Sequence, residues 1–168
     1  MNVKDIKNYL QTCSDMFNKK SVEYVYLTEG REFSNQPLSP VEETDLLGLL
    51  ARGTYTQKEC WYNASVLAVS NQGLTFCEGY AVRDKLPIPI QHAWVTFKGR
   101  AIDVTWGNTY TVRSPKNILA RIRNNIAYSI YFGVEITYKE LSASLCETDV
   151  YDSPVLHRLI KSLTSVKG

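Results

Sequence analysis

Residues 91–106 read QHAWVTFKGRAIDVTW, and this stretch decides the fold. Two runs rich in β-branched and aromatic residues, 91–97 and 100–106, flank Lys98-Gly99, the pattern of an antiparallel hairpin closed by a two-residue turn. Such a turn sets Phe97 opposite Arg100. His92 then faces position 105, and Asp103 lies diagonally from it on the same side of the sheet, within side-chain reach. LTFCEGYAV (74–82) and YFGVEIT (131–137) read as further strands, with the Pro-broken loop DKLPIPI between the first of them and the hairpin.

Upstream, Thr56 and Glu59 are spaced as a capping box. They frame a helix that runs through Ala64, Leu67 and Ala68 to Asn71-Gln72-Gly73 and puts Cys60 in its first turn. Val3, Ile6, Leu10, Cys13 and Phe17 recur at helical steps, so the chain should begin with an amphipathic helix and Cys13 should be a small core residue. VEYVYLT (22–28) alternates and is rich in β-formers, which predicts a strand. Ser39-Pro40, Ser114-Pro115 and Ser153-Pro154 each place a capping hydroxyl before a proline suited to a first helical position. The first gains Glu42 and should start a helix that stops near Gly53. A basic helix near 115–127 and two C-terminal helical segments complete an α+β reading. The expectation is one domain, 1–168, with a core at about 54–137, an N-terminal extension at 1–53 and C-terminal helices at 138–168.

Composition limits the function. With 168 residues, 44% hydrophobic and 21% charged, the chain suits a single packed domain and excludes collagen, disorder and a membrane protein. No apolar run is long enough to span a bilayer, and the first residues lack a signal-peptide core, so a cytoplasmic protein is expected, in the host cytoplasm if it is phage-encoded. Four cysteines without a CxxC argue against a zinc knuckle or a disulfide scaffold, so no metal or cofactor is expected. Only His92 and His157 can serve histidine chemistry.

The net charge of +2 is unevenly spread: residues 23–45 carry six acids and one base, while 98–125 carry six bases and the single acid Asp103. Two solvated faces are the plain reading. A basic wall at 98–125 that recruits an anionic ligand is the sharper one. No nucleic-acid motif is present, so sequence-specific nucleic-acid binding is not expected.

Cys60, His92 and Asp103 supply the parts of a thiol nucleophile: a sulfur at a helix start, where the dipole favours the thiolate, a base, and a carboxylate to orient that base. Each has an ordinary alternative as a core or edge residue. Their order on a helix start followed by adjacent strands favours chemistry. Glu78 shares a strand face with Phe76 and Tyr80; it would hold a substrate cation, support the site from behind, or face solvent. Tyr80 and Trp94 read as wall residues, and Trp94 shares His92's face and would shield it. Cys77 should be buried, and His157 should lie on the surface of a terminal helix.

ECWYNA (59–64), EGYA (78–81), PIQHAWV (89–95) and AIDVTW (101–106) resemble the core of the papain-like and transglutaminase-like thiol enzymes, and YFGVEI (131–136) resembles the end of the same unit in small phage and bacterial proteins. The resemblance implies a cysteine-bearing helix packed on an antiparallel sheet that carries the histidine and aspartate. It implies Cys60 as nucleophile, His92 as general base and acid, and Asp103 as orienting residue. Papain-like peptidases place a glutamine several residues before the cysteine. Here Gln57 is three residues upstream, and the Cys60 amide is the other oxyanion donor.

The expected activity is a cysteine hydrolase or acyl transferase that takes a protein, peptide or small-molecule amide, ester or thioester by peptidase-, deamidase- or transglutaminase-like chemistry, in a phage-type setting on a host component. The alternatives are a catalytically silent interaction protein, or an anti-defence protein that binds an anionic nucleotide ligand, on the same fold.

Overall fold

A computed structural model describes residues 2–51, 55–56, 58–83, 88–106 and 115–165. Along the chain the elements are α1 (Val3–Met16), α2 (Val22–Glu29), β1 (Arg31–Glu32), α3 (Pro40–Leu50), α4 (Cys60–Ser70), β2 (Thr75–Arg83), β3 (Ile90–Phe97), β4 (Arg100–Ile102), α5 (Pro115–Tyr128), β5 (Ser129–Ile136), α6 (Tyr138–Thr148) and α7 (Pro154–Ser165). The described residues form an α+β protein whose antiparallel sheet has the order β1-β5-β2-β3-β4.

The hairpin has the expected register, with Phe97 opposite Arg100 and Val95 opposite Ile102. Lys98 and Gly99 both take positive φ, 49° and 79°, as a two-residue turn matched to strand twist requires. The second run is a strand for three residues only. From Asp103 the chain leaves the sheet, because Asp103 Oδ1 accepts the Thr105 N–H at 2.8 Å and the Trp106 N–H at 3.0 Å, a local turn that replaces the ladder.

Ser34, just past β1, bridges to Arg100 on β4, so the two edges of the sheet meet and the sheet curls. The enclosed face holds Phe33, Cys77, Ala81, Trp94, Ala101 and Tyr131. The opposite face presents Phe76, Tyr80, Ala93, Val95, Phe132 and Val134 to Ile6, Leu10, Tyr26, Leu67, Leu141 and Val155 of the helices, in one buried core. Each large apolar side chain withdrawn from water there stabilises the fold by about 1.5–3 kcal/mol.

Segment 22–28 is helix α2, not a strand. Val22, Val25 and Tyr26 are spaced i, i+3, i+4 and all turn to the core, Tyr26 wholly buried, while the Thr28 hydroxyl donates to the Tyr24 carbonyl at 2.8 Å. β-propensity is a weak preference, and packing of this short helix against α1 and the sheet overrides it.

The Ser39–Glu42 box forms on α3, which ends at Leu50; Gly53 and Ser114 lie outside the described residues. Ser153 Oγ accepts the Leu156 N–H at 3.0 Å. Thr56 and Glu59 make no capping box. Helix α4 starts three residues later than that box would place it, with Glu59 as N-cap and, among the described residues, no side chain capping its first amides. Cys13 is half-buried rather than in the core. The acidic and basic stretches largely meet each other: Arg100 pairs with Glu42 at 2.8 Å, Lys98 with Asp45 at 3.1 Å and Arg123 with Glu43 at 2.5 Å. Among the described residues no helix is long and apolar enough to cross a membrane.

Candidate active site

Three elements deliver the site. Strand β3 carries His92 on the enclosed face, where its neighbours across β2 and β5 are Gly79 and Gly133. A Cβ on Gly79 would run into the Phe132 carbonyl, and one on Gly133 into the Glu78 carbonyl. The strands therefore approach closely there, and the imidazole has no side chain beside it on β2 or β5; the next one in its row is Arg31 on β1. Strand β4 ends at Ile102, and the turn that follows swings Asp103 toward that row. The His92 Nε2 to Asp103 Oδ2 distance is 2.8 Å, with both residues buried.

Asp103 is held on every side. Besides the two backbone donors on Oδ1, the Tyr131 hydroxyl donates to Oδ2 at 3.0 Å. Asn125 on α5 donates to the Asp103 carbonyl at 2.9 Å and to the Trp106 carbonyl at 3.1 Å, and Arg121, one turn earlier, donates to the Val104 carbonyl. Trp106 packs on the imidazole with ring centroids 5.0 Å apart, and Trp94 stacks at 6.5 Å with 19° between planes.

The third element is the start of α4. Cys60 is 7% exposed and is the first helical residue. It lies near enough to the His92 ring to add, after Asp103, to the upward push on the ring's pKa. With Nε2 taken by Asp103, Nδ1 is the nitrogen left for the thiol. Lys58, two residues before the cysteine, takes φ 64° and turns the chain into the helix. Asn63, one turn after Cys60 and fully buried, ties these parts together. Its Nδ2 donates to the Thr56 carbonyl and the Thr105 hydroxyl, each at 2.7 Å, and its Oδ1 accepts the Thr56 N–H at 3.0 Å. It joins the segment before the cysteine to the turn after the aspartate.

The electrostatics follow from the contacts. Burial disfavours a charged imidazole, but the Asp103 carboxylate and its hydrogen bond outweigh burial, with a smaller push from Cys60, and raise the His92 pKa to about 10. Burial likewise opposes the Asp103 charge. The His92 imidazolium and then the Trp106 and Thr105 N–H groups overcome it and hold this carboxyl below its ordinary value.

The other residues singled out from sequence divide. Trp94 lies at the site. Glu78 and Tyr80 lie on the opposite sheet face, against the helices. Glu78 is 0% exposed, so it meets neither solvent nor a substrate cation; it accepts the Trp61 indole N–H at 3.2 Å and the Val155 N–H at 2.6 Å. The Tyr80 hydroxyl donates to Glu23 at 2.8 Å and its ring packs on Tyr9 and Tyr26, which anchors α1 and α2 to the sheet. Gln57 lies outside the described residues. Of the basic stretch, Arg121 is committed to the Val104 carbonyl, and the Arg113 and Lys116 side chains lie outside the described residues. Among the described residues no three or more His, Cys, Asp or Glu side chains gather as metal ligands.

Sequence reasoning missed Tyr131, Asn63 and Asn125. Asn63 left a trace, as a polar residue one turn from Cys60 in an otherwise apolar helix. Tyr131 left none, since its position rests on the β2–β5 register. Compared with protein-family models, with curated proteins and with solved structures, the chain gives no match.

Proposed function

We propose that this chain is a cysteine-dependent hydrolase or acyl transferase of the papain-like or transglutaminase-like kind, with Cys60 as nucleophile, His92 as base and acid, and Asp103 as the group that orients His92. One observation carries the reading: a buried imidazole bonded through Nε2 to a carboxylate at 2.8 Å, with a cysteine at a helix start acting on the same ring.

In the proposed reaction the Cys60 proton already rests on His92 Nδ1, and Cys60 Sγ attacks the carbonyl carbon of an amide, ester or thioester. The carbonyl oxygen becomes an oxyanion. The N–H groups at the start of α4 would receive it: among the described residues no side chain caps this helix, whereas Asn2, Ser39 and Thr137 cap α1, α3 and α6. Collapse breaks the bond to the leaving group, which takes the proton from His92 and leaves a thioester on Cys60. Water or an amine then attacks that thioester, gives its proton to His92, and the C–S bond breaks with that proton left on His92. Asp103 stays ionised and supports the imidazolium formed in each step.

Iodoacetamide labelling near neutral pH, read thiol by thiol by mass spectrometry, tests this. Cys60 is buried and Cys146 exposed, so accessibility alone favours Cys146. The expected result is that Cys60 reacts first and that His92→Ala slows it. If Cys146 outpaces Cys60, or His92→Ala leaves the Cys60 rate unchanged, the reading fails.

A further inference from the structure

Among the described residues the hydroxyl of Tyr131 is the one donor on Asp103 that competes directly with the imidazole. Both occupy Oδ2, the phenol at 3.0 Å and His92 Nε2 at 2.8 Å, while Oδ1 is taken up by backbone N–H groups. Tyr131 arrives from β5, two strands away from His92, on the same enclosed face, and it is 1% exposed. The Tyr131 ring packs on Trp94 with centroids 5.1 Å apart, and its hydroxyl is turned to Asp103.

We propose that Tyr131 is a positioning residue of the His92–Asp103 pair: by sharing Oδ2 with the imidazole, its hydroxyl limits how strongly Asp103 retains the proton on His92. This deepens, and rests on, the reading of His92 as the base and acid of a thiol enzyme. A proton acceptor must also return its proton to the leaving group within each cycle, and an imidazolium bound to an unshared buried carboxylate would release it reluctantly. A donated hydrogen bond spreads the carboxylate charge and weakens its pull on the ring. The phenol is suited to this. Burial, and then the Asp103 charge and hydrogen bond, keep it protonated, so it acts as a fixed donor. The other groups that face the pair are Cys60 on α4, whose contact acts on His92, Arg121 on α5, whose charge acts on Asp103, and Arg83 on β2, whose charge acts on Tyr131. None of them donates to Oδ2 among the described residues.

Only two histidines are present, so NMR titration of the His92 ring is resolvable, with His157 as internal reference. The measurement compares Tyr131 and Tyr131→Phe, each in a Cys60→Ala background, so it reads the pair without the thiol and stands apart from the labelling test above. Tyr131→Phe should move His92 proton release upward by about 1–2 pH units, the scale of one hydrogen bond to a charged group. An unchanged or lowered value overturns the proposal, and a purely structural role predicts no rise. Should Tyr131→Phe not fold, the unsubstituted protein decides. A Tyr131 hydroxyl proton protected from exchange beside the His92 ring supports the assignment, and a freely exchanging one overturns it.

Discussion

Asp103 and Glu78 are buried carboxyls on one sheet, and they behave in opposite ways. Asp103, at 1% exposure on the enclosed face, has a cationic partner and three further directed donors, and its pKa is lowered. Glu78, at 0% exposure on the helix-packed face, accepts from Trp61 and Val155 but has no cation beside it among the described residues. Burial therefore prevails over those bonds and raises its pKa to about 7. Burial alone does not mark a functional acid. The partner decides whether the charge persists, and only the enclosed face brings an imidazole to the carboxylate.

The comparison breaks most visibly at Asp103. Asp103→Asn removes the charge that holds His92 protonated, so Cys60 alkylation near neutral pH should slow by about 10²- to 10⁴-fold, the range for losing an orienting acid. The His92 pKa should fall from about 10 toward its ordinary 6.5. A rate within error of the parent protein would make Asp103 structural only.

Glu78 offers the converse. Its folded pKa, about 7, lies above the unfolded reference of 4.5, so the folded state binds the proton more tightly. The corresponding stability is full below pH 4.5 and is lost as pH rises to about 7. Urea denaturation across that window should show a loss of about 3 kcal/mol that Glu78→Gln flattens, with Cys60 reactivity little changed. A pH-independent parent protein would contradict the comparison.

Asn63→Ala sharpens it on the side of the site. Loss of the clasp between Thr56 and Thr105 should cost about 1–3 kcal/mol in urea denaturation and slow Cys60 alkylation as well, since both ends of the triad hang from it. Lys98→Ala sets the lower limit. Its pair with Asp45 is half exposed on both sides, so denaturation should move by no more than about 0.5 kcal/mol.

Local signals were legible where chemistry is local. The Lys98-Gly99 turn, the Ser39–Glu42 cap and the helix that follows Cys60 all rest on residues within a turn of each other. Segment 22–28 shows the limit: its alternating β-formers also satisfy a short helix spacing, and contacts with α1 and the sheet chose the helix. The Thr56–Glu59 pair shows another. Its spacing matches a capping box, but Asn63 engages the Thr56 backbone, and the helix begins at the cysteine with its amides uncapped. Alternation put Glu78 on its face with Phe76 and Tyr80, but it does not say that α7 closes over that face and buries it.

The sequence by itself determined the hairpin, its register and the placing of Cys60 at a helix start, because each depends on neighbours a few residues apart. Only the tertiary structure decided that β4 stops short so that Asp103 can turn to His92, and that Tyr131 and Asn63 converge on the same turn. It also decided which of two buried carboxyls keeps its charge. These depend on contacts between segments 11 to 77 residues apart in the chain, whose geometry is set by how the sheet curls and what packs on each face.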